Sequence, residues 1–93
     1  MNSIVLVLSG PVGPDDVPRL LRRVGLLLAE REGDLILCDV AALDHPDADT
    51  LDLLCRLQLT ARRLGRRVLL LDAGGELRDL LVWTGLSEAM PCE

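Results

Sequence analysis

The sequence predicts a small α/β domain, with a mainly parallel or mixed sheet packed against three to four helices. Three observations predict it. Apolar runs of strand length stand at residues 4–9, 35–38 and 67–72. Each is followed by a segment whose apolar residues recur at helical spacing. The connections are short, and strand–helix alternation with short connections gives right-handed crossovers between parallel strands. One domain accounts for residues 1–93, without internal repeat, linker or low-complexity stretch.

The first run, Ile4-Val5-Leu6-Val7-Leu8-Ser9, is short and rich in β-branched residues, which favours a strand. Two Gly and two Pro at positions 10–14 then turn the chain. Asp15 or Asp16 is placed to cap a helix, and Pro18 suits its first turn. Val17, Leu20, Leu21, Val24, Leu27 and Leu28 form the buried face, and Gly33 marks the helix end. Residues 35–38 make the second strand, closed by Asp39 and Val40, and 41–46 form a loop. A second helix begins near Asp47 and runs to Gly65, with Arg62 and Arg63 favouring the negative end of its dipole. Residues 67–72 form the third strand. A third helix covers about 76–84, with Leu77, Leu80 and Leu81 inward, Gly85 as its stop and Leu86 packing back. Residues 87–93 are a short tail. The strands show no polar alternation, which predicts cover on both sheet faces, in part from a protein partner or a second copy of the chain.

Composition excludes several classes of function. At 49% hydrophobic residues the chain is too apolar for intrinsic disorder. No apolar run reaches the roughly 18 residues of a membrane-spanning helix, and no basic segment precedes Ile4, so a cytoplasmic address is expected. The net charge of -5 opposes phosphate-backbone binding, and Trp83 is the only aromatic residue, which leaves no base-stacking platform. All ten basic residues are Arg, a codon bias expected of a genome of high G+C content. The absence of Lys excludes Schiff-base and phosphate-loop lysine chemistry.

Cys38 and Cys55 read as small core residues and Cys92 as an exposed tail thiol. One His and no paired cysteines make no zinc pattern, so no metal or cofactor is expected. The segment Leu43-Asp44-His45-Pro46-Asp47-Ala48-Asp49-Thr50-Leu51-Asp52 is the most polar loop, after a strand's carboxyl end, where α/β sheets bind ligands. Its carboxylates lack the spacing of a calcium loop, and Asp47 and Asp49 are explained as cap and first-turn residues. Asp39 and Asp72 end strands at the same edge, which keeps a metal- or nucleotide-binding regulatory domain as an alternative. Along the second helix, Leu53, Leu54, Leu57, Ala61 and Leu64 make the core face. Leu51, Cys55 and Leu59 form a second apolar stripe, either the flank of a broad buried arc or an exposed binding strip. Trp83 lies off the inward face of the third helix, as a shield of the core edge or as an interface anchor.

The order "IVLVLSG", "LILCDVAAL", "DADTLDLLCRLQLTARRLGRRVLLLD", "ELRDLLVWTGL" resembles the STAS domain family of bacterial anti-sigma factor antagonists, from Ile4 to about Met90. The resemblance implies a STAS-like fold, no enzymatic activity, and a role in transcription regulation through docking on an anti-sigma factor that is also a kinase-like ATPase. In that family an Asp-Ser-Ser-Gly motif opens the second helix, and its first Ser is the phosphoacceptor. Here the motif falls on Asp47-Ala48-Asp49-Thr50, so Ala48 takes the acceptor position and carries no hydroxyl. A two-residue shift would make Thr50 the acceptor, at the expense of both flanking spacings. The family's usual first strand has no counterpart before Ile4. The resemblance equally covers the accessory STAS subunit of lipid-transport ABC complexes. The partner-binding residues expected from motif position and stripe are Asp47, Ala48, Asp49, Thr50, Leu51, Cys55 and Leu59. A homodimer is a further possibility.

Overall fold

Strand and helix alternate along the chain in a computed structural model that describes residues 3–93. The elements are β1 (Ser3–Gly10), α1 (Asp16–Glu30), β2 (Leu35–Leu43), α2 (Ala48–Arg63), β3 (Arg67–Leu71) and α3 (Gly75–Trp83). The sheet order is β1-β2-β3, and both pairings are parallel. Register places Ile4, Ile36 and Val68 side by side, and one step on Leu6, Cys38 and Leu70. All six are buried, because the right-handed crossovers carry the helices over this one face.

The chain's own helices leave the opposite face open. Val5 and Val7 are 58% and 67% exposed, and Leu35, Leu37, Leu69 and Leu71 are half-buried beside them. The apolar run of β1 therefore does not mean burial on both faces: its burial alternates although its polarity does not.

The second strand runs further than its apolar core. Beyond Asp39 it carries an extra residue, since Val7 pairs with Asp39 and Ser9 with Ala42. Asp39 accepts a hydrogen bond from the Ala41 N–H at 3.0 Å, which supports this bulge. Residues 41–43, expected as loop, thus remain in the sheet. The first helix stops earlier than Gly33. Arg31 is already extended, and Asp15 caps nothing through its side chain; the neighbouring Asp16 instead accepts from the Gly13 N–H at 2.8 Å.

Two helix ends obey the glycine rule. At the end of α2, Gly65 (φ 73°) donates to the Arg62 carbonyl and Arg66 to the Ala61 carbonyl. At the end of α3, Gly85 (φ 75°) donates to Val82 and Leu86 to Leu81. Both are Schellman closures, in which a left-handed residue lets two N–H groups turn back onto the last carbonyls.

The tail is part of the sheet layer. Leu70 donates to the Pro91 carbonyl and accepts from the Glu93 N–H, so Cys92 makes a parallel bridge on the outer edge of β3. Met90 is buried beside it. One rung earlier, the buried Gln58 of α2 holds both backbone groups of Val68: its Oε1 accepts from the Val68 N–H at 3.1 Å and its Nε2 reaches the Val68 carbonyl at 3.4 Å. The same Nε2 donates to the Ala89 carbonyl at 2.9 Å, which ties the tail to α2. The β3 edge is thereby closed. Cys92, expected exposed, is half-buried, with its thiol directed at the Met90 carbonyl.

Candidate functional site

The carboxyl ends of β2 and β3 face the starts of α2 and α3, and a cleft of about 380 Å³ opens between them. Leu43, Asp44, His45 and Pro46 line one wall, and Asp72, Gly74, Gly75 and Glu76 the other. Both walls turn sharply. His45 and Asp72 hold left-handed backbone conformations, at φ 47° and 57°. Asp44, Asp72 and Glu76 make the rim acidic, which disfavours the phosphates of a nucleotide. Among the described residues, no group of three or more His, Cys, Asp or Glu side chains is placed to hold a metal ion.

A capping box builds the start of α2. Asp47 Oδ1 accepts from the Asp49 N–H at 3.0 Å and from the Thr50 N–H at 3.2 Å, while Thr50 Oγ1 accepts from the Asp47 N–H at 3.3 Å. Two orphan donors of the first turn are satisfied, and a carboxylate sits at the positive end of the helix dipole. Asp47 and Ala48 are exposed and Asp49 half-buried. Thr50 is 1% exposed, and its hydroxyl is engaged with Asp47. In this conformation the Thr50 hydroxyl is turned inward to the cap.

The apolar stripe of α2 is graded. Leu51 is half-buried against the core, Cys55 is half-buried, and Leu59 is 52% exposed. Leu59 lines a groove of about 390 Å³ between the helices, with Leu21 of α1 and Arg56, Thr60 and Arg63 of α2. The stripe is thus the rim of the core at its start and an open groove at its far end. The Cys55 thiol is raised above the ordinary cysteine range by partial burial and by the charge of Asp52.

Trp83 is 87% exposed and shields nothing. Together with Leu80, Glu76 and Asp79 it lines a shallow hollow that reaches Pro46. The neighbour of Pro46 is Asp47, so Trp83 belongs to the same surface as the start of α2. Sequence periodicity put Trp83 on the outer side of α3. Its proximity to Pro46 depends on how α3 lies across the end of the sheet.

No family profile and no curated protein matches the sequence. The structure matches that of the anti-sigma factor antagonist SpoIIAA in its unphosphorylated form, with a TM-score of 0.77 at 16% identity. The match covers 99% of this chain and 80% of that one. The chain has the STAS fold. At this identity the likeness establishes architecture alone. Within the STAS fold of this chain, the α2 start, the acidic cleft and Trp83 occupy one end of the sheet. Among the described residues, no helix is long and apolar enough to cross a membrane.

Proposed function

We propose that this chain is a non-enzymatic protein-interaction module of the anti-sigma factor antagonist kind, working in the cytoplasm. It docks an anti-sigma, kinase-like ATPase with the start of α2 and the adjoining surfaces. The supporting observation is the exposed pair Asp47–Ala48 at the head of a capped helix in a STAS fold, flanked by the 87% exposed Trp83. Trp83 and Leu59 offer apolar area, and Asp44, Asp72, Glu76 and Asp79 surround Trp83 and the cleft with negative charge. The partner's complementary face therefore carries basic groups around an apolar centre.

With Ala48 at the acceptor position the docked state is not switched off by phosphorylation. A phosphoryl group there would add nearly two negative charges to a surface that is already acidic. The reading is tested with the full chain as bait in a lysate of the source organism, beside Ala48→Arg and Leu59→Asp. Capture of a kinase-like ATPase by the wild type, lost with Ala48→Arg and Leu59→Asp in folded protein, is expected. Capture of a transporter ATPase instead, or undiminished capture by both variants, overturns it. With the captured kinase and ATP, Ala48→Ser is expected to gain the mass of one phosphoryl group that the wild type never gains.

A further inference from the structure

The two edges of the sheet are treated differently. The β3 edge is closed by Gln58 and by the Cys92 bridge. Among the described residues nothing pairs with the β1 edge, and every second residue of β1 presents its N–H and C=O outward there. Exposed edges in monomeric proteins usually carry a charge, a proline or a bulge, but Ser3–Gly10 contains no charged residue and no proline. The bulge lies in β2, where three steps from Asp39 to Ala42 match two from Val7 to Ser9, so β1 itself stays regular.

The edge also reads the same in both directions. Around Leu6 the sequence is Ser3-Ile4-Val5-Leu6-Val7-Leu8-Ser9: Val5 mirrors Val7, Ile4 mirrors Leu8, and Ser3 mirrors Ser9. A strand of this kind fits an antiparallel copy of itself, which is the pairing a two-fold axis generates. We infer that the free edge of β1 pairs with β1 of a second copy of this chain, antiparallel and centred on Leu6, to give a homodimer with one continuous six-stranded sheet.

In that register Val5 stands opposite the second copy's Val7, and the core residues Ile4 and Leu8 meet on the helix side. The helix layer agrees. Leu20, Arg23, Val24 and Leu27 of α1 line a groove of about 260 Å³ together with Leu6, Val7 and Leu8. Strands pair about 4.8 Å apart, and a crossover helix lies above the gap between its strands, so the two α1 helices come to about 10 Å, an ordinary packing distance. Arg23 and Glu30 are seven residues apart on this flank, and antiparallel packing sets the basic end of one α1 beside the acidic end of the other. A strip about 26 Å long and about 20 Å deep buries on the order of 1,000 Å² over both copies, the size a specific interface needs.

The test is the solution mass of the full chain over a dilution series, by sedimentation and light scattering. The wild type is expected at twice the 10.1 kDa chain mass, falling to one chain on dilution. The double variant Val5→Lys/Val7→Lys is expected at the single-chain mass with an unchanged circular dichroism spectrum, since both side chains are solvent-exposed in the single chain. A register-specific test uses Val5→Lys and Val7→Glu, each weakly dimeric alone. Mixed, they are expected to form a heterodimer in native mass spectrometry, because position 5 of one copy faces position 7 of the other. A single-chain mass at all concentrations, an open-ended series of masses, a dimer that survives the double lysine variant, or a mixture without heterodimer overturns the inference. Leu59→Asp is expected to keep the dimer, so the inference stands or falls independently of partner docking.

Discussion

Replacing Gln58 by Leu keeps most of the side-chain volume and removes every hydrogen bond of the amide. Three backbone groups then lose their partner: the Val68 N–H at 3.1 Å, the Val68 carbonyl at 3.4 Å and the Ala89 carbonyl at 2.9 Å. Gln58 is only 6% exposed, so water does not readily replace it. An unsatisfied buried group costs about 1–3 kcal/mol, and the long 3.4 Å contact counts least. Leu recovers part of this through apolar burial, which leaves an expected loss of about 3 kcal/mol. For a domain of this size that is a drop of roughly 12–24 °C in Tm. Urea and thermal unfolding followed by far-UV circular dichroism measure it. Tryptophan emission is the wrong probe, because Trp83 is already in water in the folded state. Hydrogen exchange adds a local readout: the Val68 amide is expected to exchange faster, while Ile36, at the centre of the sheet, stays protected. A loss below about 1 kcal/mol with unchanged Val68 protection would refute the claim that Gln58 closes this edge.

Two other perturbations test separate parts of the fold. Asp47→Ala removes both side-chain bonds of the α2 cap and is expected to cost about 1 kcal/mol, or roughly 4–8 °C in Tm, by the same unfolding assay. The Cys38 thiol is pushed up to about 12, first by burial and then by the charge of Asp39. The folded state keeps this proton while the unfolded state releases it near the ordinary value of 9.0, so stability falls as pH rises from 9.0 towards about 12. The slope approaches about 1.4 kcal/mol per pH unit inside that window. The chain contains neither Lys nor Tyr to titrate there, and the raised thiol of Cys55 adds to the fall in the same sense, so Cys38→Ala is expected to reduce, without abolishing, the fall in urea midpoints measured above pH 9.0.

The order and type of every helix and strand were legible in the chain, because short apolar runs, helical periodicity and glycine stops are local properties. Gly65 and Gly85 end their helices where a left-handed residue is needed, and Asp47 caps α2 from its place before Ala48. Boundaries moved where a partner strand decided them. Pairing with Ser9 and Gly10 holds Ala42 and Leu43 in the sheet beyond the bulge. For the candidate site, sequence placed Asp47, Ala48 and Asp49 at an exposed helix start. It could not show that Thr50 turns inward, since a hydroxyl at N3 serves either the cap or the solvent according to how the helix packs.

Neighbours in space, rather than in sequence, decided the rest. A continuous apolar strand reads the same whether one face or both are covered. The placement of α1 and α2 on one face, set by the handedness of the two crossovers, left Val5 and Val7 in water. The tail has no strand signal of its own. It becomes a sheet rung because Leu70 has backbone groups to satisfy and Gln58 holds Ala89 beside them. The surface shared by Pro46 and Trp83 exists only once α3 crosses the end of the sheet. Sequence by itself determined the elements and the helix cap, since those depend on residues within a few positions of each other. Tertiary structure alone decided which sheet face and which edge stay open, since burial and pairing depend on what the rest of the chain brings alongside.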